Sequence, residues 1–263
     1  MIVSPAGITV ATVLGVTAGI TPGRGATAMP SGTLTLNASL RLTSSLGACV
    51  PPAGADHCAA RTIHGPFPGL GALEGRYEFL VDQGPPACAG DDGRALAYPT
   101  RLAVTGKGEI HVAVAEAAEC VPAESIRTQT QTFAVTGGTG IYTGASGSGT
   151  LERRLGGETA SGRVGTETWT GTLSVPGLEF DTTPPVFSGA VGRTVRAPRR
   201  ATRVRVVFAV TASDETDGAV PVSCHPRSGG LFRVGRTVMT CSATDTSANT
   251  ATARFTVTVT RRR

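Results

Sequence analysis

Lysine is almost missing from this chain: Lys107 is the only one, and arginine supplies every other basic side chain. Aromatic residues make up 5% of the 263 residues and charged residues 16%, whereas glycine occurs 35 times. A composition so poor in charge, with an apolar content dominated by Val, Ala and Leu, excludes long solvated helices. It suits many short strands joined by tight turns. The paired C-x-x-C spacing of a structural zinc site is absent, so the six cysteines read as disulfides. None of the four histidines, His57, His64, His111 and His225, sits in a nucleophile motif such as G-x-S-x-G. No cofactor is expected.

Long apolar runs are also lacking. The stretch from Ile8 to Ile20 falls short of the ~20 residues that a membrane-crossing helix needs, and Pro22 and Arg24 interrupt it. Followed by the small-residue site Ala26-Thr27-Ala28, it has the pattern of a secretory signal peptide over residues 1–28, although no Lys or Arg precedes Ile8. A secreted, extracellular protein without a membrane span is expected.

The length has room for two domains. Residues 181–263 hold 13 arginines against 5 acids, a balance of +8; residues 1–180 hold 11 basic against 14 acidic side chains, a balance of −3. The cysteines divide likewise. Cys224 and Cys241 are alone in the second half and pair with each other if each domain is self-contained. Cys49, Cys58, Cys88 and Cys120 allow three connectivities, of which Cys49 with Cys58 and Cys88 with Cys120 is favoured by proximity.

Residues 33–46 alternate cleanly, with Leu34, Leu36, Ala38, Leu40 and Leu42 on one face, and predict a long half-buried strand. The Pro- and Gly-rich segment from Val50 to Leu73 reads as a stapled loop. Strand patterns near residues 77–81, 101–105, 109–115, 128–135, 149–155 and 163–175 bring the number to seven or eight, enough to close an antiparallel barrel. Between two of them runs Gly137-Gly138-Thr139-Gly140-Ile141-Tyr142-Thr143-Gly144-Ala145-Ser146-Gly147-Ser148-Gly149. Its spacing fits no phosphate-cradling loop, so its glycines are expected to serve turns and close backbone approach. This run resembles the corresponding segment of dirigent proteins and allene oxide cyclases. The resemblance implies an eight-stranded barrel over residues 33–178, and a family whose members bind small hydrophobic or phenolic molecules in the lumen.

Pro176 to Pro185 reads as a linker. Beyond it lie Asp181-Thr182-Thr183-Pro184-Pro185, Thr211-Ala212-Ser213-Asp214 with Asp217-Gly218, Pro221-Val222-x-Cys224, Phe232-x-Val234-Gly235, and Cys241-x-Ala243-Thr244-Asp245 with Asn249-Thr250-Ala251. Together they resemble a hyalin repeat (HYR) domain over residues 181–260. That resemblance implies an extracellular immunoglobulin-like sandwich linked to adhesion. The expected fold class is therefore all-β, a barrel followed by a sandwich.

Three sets of residues are candidates for chemistry. Asp214, Asp217 and Asp245 are carboxylates that could meet at one end of the sandwich and hold Ca²⁺, against the alternative that each serves its own turn. Glu109 and His111 share a strand face; if that face is the lumen, they are an acid/base pair. Arg196, Arg199, Arg200, Arg203 and Arg205 offer an anion-binding edge, with a solvated face as the alternative. Lacking interleaved aromatics, this edge is not expected to bind nucleic acid. A non-catalytic protein that binds a cell-surface or extracellular polymer, with an anionic glycan as the candidate, ranks ahead of an enzyme. The alternative is a barrel that binds, isomerises or cyclises a small hydrophobic molecule, with the HYR module docking it.

Overall fold

The computed structural model describes residues 32–46, 49–83, 88–90, 92–122, 128–159 and 162–261. The signal-peptide reading of residues 1–28 lies outside them. Nine strands make up the first sheet: β1 (Thr33–Leu46), β2 (His57–Phe67), β3 (Gly71–Gln83), β4 (Gly93–Ala95), β5 (Tyr98–Val104), β6 (Gly108–Val114), β7 (Thr128–Gly138), β8 (Ser146–Thr159) and β9 (Gly162–Ser174). Their order is β2-β1-β9-β8-β7-β6-β5-β3-β4, and pairing of β2 with β3 closes it. The result is an eight-stranded antiparallel barrel, with β4 a short addition to the end of β3. Closure leaves no row of unpaired backbone groups around the barrel.

Alternation drives this half. In β1 the residues Leu34, Leu36, Ala38, Leu40 and Leu42 are buried while Thr35, Asn37, Ser39 and Arg41 are exposed. Each such leucine contributes about 2 kcal/mol of apolar burial. The segment expected as a stapled loop is instead mostly strand, since β2 pairs with β1 on one side and with β3 on the other. Its inward residues are Ala59, Arg61, Ile63 and Phe67. An arginine in the middle of that series hides the apolar period. The Cys49–Cys58 disulfide holds the start of β2, and Cys88–Cys120 ties the segment before β4 to the one after β6.

The glycine-rich run turns tightly between β7 and β8. Gly140 has φ +60°, and a Cβ there would stand 2.3 Å from the Lys107 carbonyl oxygen. Gly149 meets Gly171 across β8 and β9, where a Cβ would stand 2.0 Å from the Thr170 carbonyl oxygen. Both are close approaches that only glycine permits.

The second unit holds β10 (Val186–Ser188), β11 (Arg193–Ala197), β12 (Arg203–Val206), β13 (Thr211–Asp214), β14 (Gly218–Val220), β15 (Val222–His225), β16 (Gly230–Arg233), β17 (Gly235–Thr244) and β18 (Thr250–Arg261). They form the sheets β10-β13-β14 and β11-β18-β17-β15 and the pair β12–β16. Met239, Cys241, Phe255, Val257 and Val259 pack with Val206, Phe208 and Phe232 as its core. Cys224 and Cys241 are directly paired across β15 and β17 and disulfide-bonded. The expected single strand Val220-Pro221-Val222 is split, because Pro221 has no N–H to give a ladder and the chain passes there from one sheet to another. Among the described residues no helix is long and apolar enough to cross a membrane.

The two units touch through Lys107. Its Nζ donates to the Leu70 carbonyl oxygen at 2.7 Å and lies 3.4 Å from Ser247 Oγ in the β17–β18 turn. Gly71 backs onto the Thr246 carbonyl oxygen, where a Cβ would stand 2.8 Å away.

Candidate functional site

The three aspartates singled out in the sequence do meet, and a fourth joins them. Asp181 comes from the linker, Asp214 from the end of β13, Asp217 from the β13–β14 turn and Asp245 from the β17–β18 turn. One carboxylate oxygen from each lies within 4.8 Å of the others. Turn chemistry brings them there. Asp181 Oδ1 accepts from the Thr183 N–H at 3.0 Å and hydroxyl at 2.8 Å; Asp214 Oδ1 accepts from the N–H groups of Thr216 at 2.8 Å and Asp217 at 3.2 Å. Asp245 accepts from the Asn249 N–H at 2.8 Å and side-chain amide at 2.9 Å, and the same amide reaches the Asp181 carbonyl oxygen at 2.9 Å. Asp217 accepts from the Thr246 N–H at 2.8 Å and from its hydroxyl, and these bonds hold its carboxyl below the usual range.

Local satisfaction does not remove the charge. Two unit charges at this separation repel by roughly 3 kcal/mol at an effective dielectric of about 20. Asp214 and Asp245 are both buried. Among the described residues none of the four belongs to an ion pair. Asp181 escaped the sequence reading because it lies more than 30 residues before the others, although it heads the Asp-Thr-Thr-Pro-Pro segment.

The arginine candidates form an exposed edge. Arg196 lies on β11, Arg199 and Arg200 in the turn that follows, and Arg203 and Arg205 on β12; all five are exposed. β12 pairs with β16 so that Arg203 stands opposite Arg233 and Arg205 opposite Leu231, which is 62% exposed. Like charges directly opposite in a ladder are unfavourable.

Glu109 and His111 do not face the lumen, which corrects the premise on which they were paired. In β6 the inward residues are Ile110, Val112 and Val114, so the odd-numbered ones point out. On that outer face Glu109 Oε2 lies 3.4 Å from His111 Nε2 and 3.7 Å from Arg101 Nη1.

The interior carries a different polar group, which sequence reasoning missed. Arg153 on β8 is fully buried. Its Nε donates to Glu167 Oε2 at 3.2 Å and to the Tyr77 hydroxyl at 3.3 Å, Nη1 to Gln131 Oε1 at 3.0 Å, and Nη2 to the Tyr98 hydroxyl at 2.7 Å. Glu167, equally buried, also accepts from the Tyr77 hydroxyl and from the Trp169 indole N–H at 3.0 Å. Tyr77 and Tyr98 stack at 4.5 Å. Burial pushes Tyr77 up to about 12 and also raises Tyr98. For Arg153, burial opposes the charge, but Tyr77, Tyr98 and Glu167 outweigh it and raise the pKa. Arg61 Cζ stands over the Phe79 ring, 3.4 Å from its centroid; the side chain donates to Ser44 Oγ at 3.3 Å and is lowered to about 10 by burial and by Arg153.

Beyond this network the lumen is lined by Leu36, Phe67, Leu102, Val112, Phe133 and Trp169, among others, around a void of about 10 Å³. That is room for no more than one water.

Comparison with known proteins places only the second unit. A family model described as "HYR domain" matches residues 180–259. Hyalin from Strongylocentrotus purpuratus is 38% identical over 92 residues, 34% of this chain and 8% of the relative. Hyalin from Lytechinus variegatus is 37% identical over 92 residues, 34% of this chain and 17% of the relative. The chain thus spans a small part of the length of either, and no solved structure matches. The aspartates, the Cys224–Cys241 bridge and the arginine edge all fall inside the matched segment, and residues 180–259 form an HYR domain.

Proposed function

We propose that this is a secreted, non-catalytic adhesion protein whose HYR module binds an anionic extracellular polymer through its arginine edge. Its domains are the barrel of residues 33–178 and the sandwich of residues 181–260, with residues 1–28 removed on export. One observation carries the reading: Arg203 and Arg233 are held side by side, flanked by Arg205 and by exposed Leu231. Folding gains nothing from that placement, whereas a polyanion such as an acidic glycan gains adjacent charge-assisted contacts. Three disulfides suit an oxidising exterior. The barrel keeps its dirigent-like and allene-oxide-cyclase-like reading on strand number and on the glycine-rich run, as a scaffold without that family's activity. Its small void supports a filled lumen over the alternative of a bound hydrophobic molecule.

The test is retention on a heparin column at low salt, with elution by a salt gradient. The full chain is expected to be retained, and the double variant Arg203→Gln/Arg233→Gln to elute at clearly lower salt, because exposed contacts are screened. Equal elution of the two, or no retention of either, overturns the reading.

A further inference from the structure

We propose that Asp181, Asp214, Asp217 and Asp245 bind one divalent cation of the size of Ca²⁺, and that this ion fastens the linker to the sandwich at its contact with the barrel.

Turn chemistry accounts for some of the oxygens in this cluster and not for others. Asp181 Oδ2 is sealed from solvent and has no hydrogen-bond partner. Asp214 is 7% exposed, and both of its hydrogen bonds fall on Oδ1. Buried carboxylate oxygens are normally saturated with donors. One such oxygen left bare, in a group of four like charges, points to a missing positive partner. Among the described residues none pairs with it: Lys107 Nζ helps to hold the Asp217 carboxyl low from a distance, but its hydrogen bonds go to the Leu70 carbonyl oxygen and Ser247 Oγ.

Size and donor type narrow the choice of ion. The set is all oxygen, without His or Cys, which selects a hard cation over zinc or copper. Calcium–oxygen distances of about 2.4 Å put oxygens on opposite sides of the ion about 4.8 Å apart. The four carboxylate oxygens all lie within that distance of one another. Magnesium dehydrates reluctantly and keeps several waters, whereas calcium accepts a site built largely of protein oxygens.

The ion would join segments distant in sequence. Asp181 belongs to the linker, whereas Asp245 opens the turn whose Thr246 backs onto Gly71 of the barrel and whose Ser247 meets Lys107. Asp217 is bonded to that same Thr246. Filling the site therefore ties the linker to the turn that touches the barrel.

Calorimetric titration of the chelator-treated full chain with CaCl₂ tests this, with limited proteolysis of the linker as a second readout. Binding of one ion is expected, together with slower cleavage between residues 176 and 185. Asp181→Asn, which keeps the side-chain shape, and Asp214→Asn are each expected to weaken affinity at least tenfold; the exposed Glu152→Gln is expected to leave it unchanged. No heat at millimolar calcium, equal affinity in Asp181→Asn, or magnesium binding as tightly as calcium overturns the proposal. Heparin retention measured in chelator reads the arginine edge alone, so the two proposals fail separately.

Discussion

The barrel interior and the end of the sandwich both bury charge, and they do so in opposite ways. In the barrel, Arg153 and Glu167 carry opposite signs, and Arg153 nitrogens and Glu167 oxygens meet tyrosine, glutamine or tryptophan partners, while the second buried cation, Arg61, stands over the Phe79 ring with its Nη1 unpartnered. At the sandwich end four carboxylates converge, two of them buried, and no ion pair relieves them among the described residues. A closed network specifies a core, since breaking any member leaves a neighbour uncompensated. One of a single sign keeps a repulsion that a cation would relieve.

The largest effect expected from this contrast is in the barrel. Glu167→Ala strands Arg153 in the interior and is expected to destabilise the protein by about 3–5 kcal/mol, read from chemical denaturation. Little or no loss would show that water enters the lumen. At the sandwich the sign is expected to reverse: in chelator, Asp214→Asn removes one repelling charge and stabilises by up to about 3 kcal/mol. A destabilised Asp214→Asn under the same conditions would make the cluster an ordinary set of turns. Asn249→Ala removes the amide that bonds both Asp245 and the linker carbonyl, and is expected to cost about 1–2 kcal/mol, again by denaturant midpoint.

The last effect is a pH dependence. Burial raises Tyr77 from its ordinary value of 10.0 to about 12 in the folded state, so its phenol ionises first in the unfolded chain. Its contribution is fully present below pH 10 and is lost as pH rises from about 10 to about 12. The stability advantage of the wild type over Tyr77→Phe is therefore expected to shrink across that window in paired denaturation curves. A constant difference would mean that the hydroxyl is open to solvent.

The same contrast explains what could be read from the sequence. Barrel closure followed from strands such as β1, whose leucines alternate without interruption, and the sandwich from motifs spread over 80 residues. β2 was lost because Arg61 stands at an inward position, and the interior network because Arg153, Gln131 and Glu167 look like outward residues. Which face of a strand points inward depends on its register with its neighbours, and polar residues on the inner face erase that signal. The same ambiguity left open whether Glu109 and His111 face the lumen, and the register of β6 turns them outward. Asp214, Asp217 and Asp245 were legible because each stands in turn chemistry, whereas the place of Asp181 depends on how the linker enters the sandwich.

Having a single lysine gives the junction a chemical reporter. The only side-chain primary amine in the protein is half-buried where barrel and sandwich touch, with its nitrogen already engaged by the Leu70 carbonyl. Of the side chains, acylating reagents that mark lysines broadly in most proteins can mark only Lys107 here, at a peptide distinct from the α-amino terminus, and only as fast as the contact opens. Separation of the two units can thus be timed by mass spectrometry, without introducing a label.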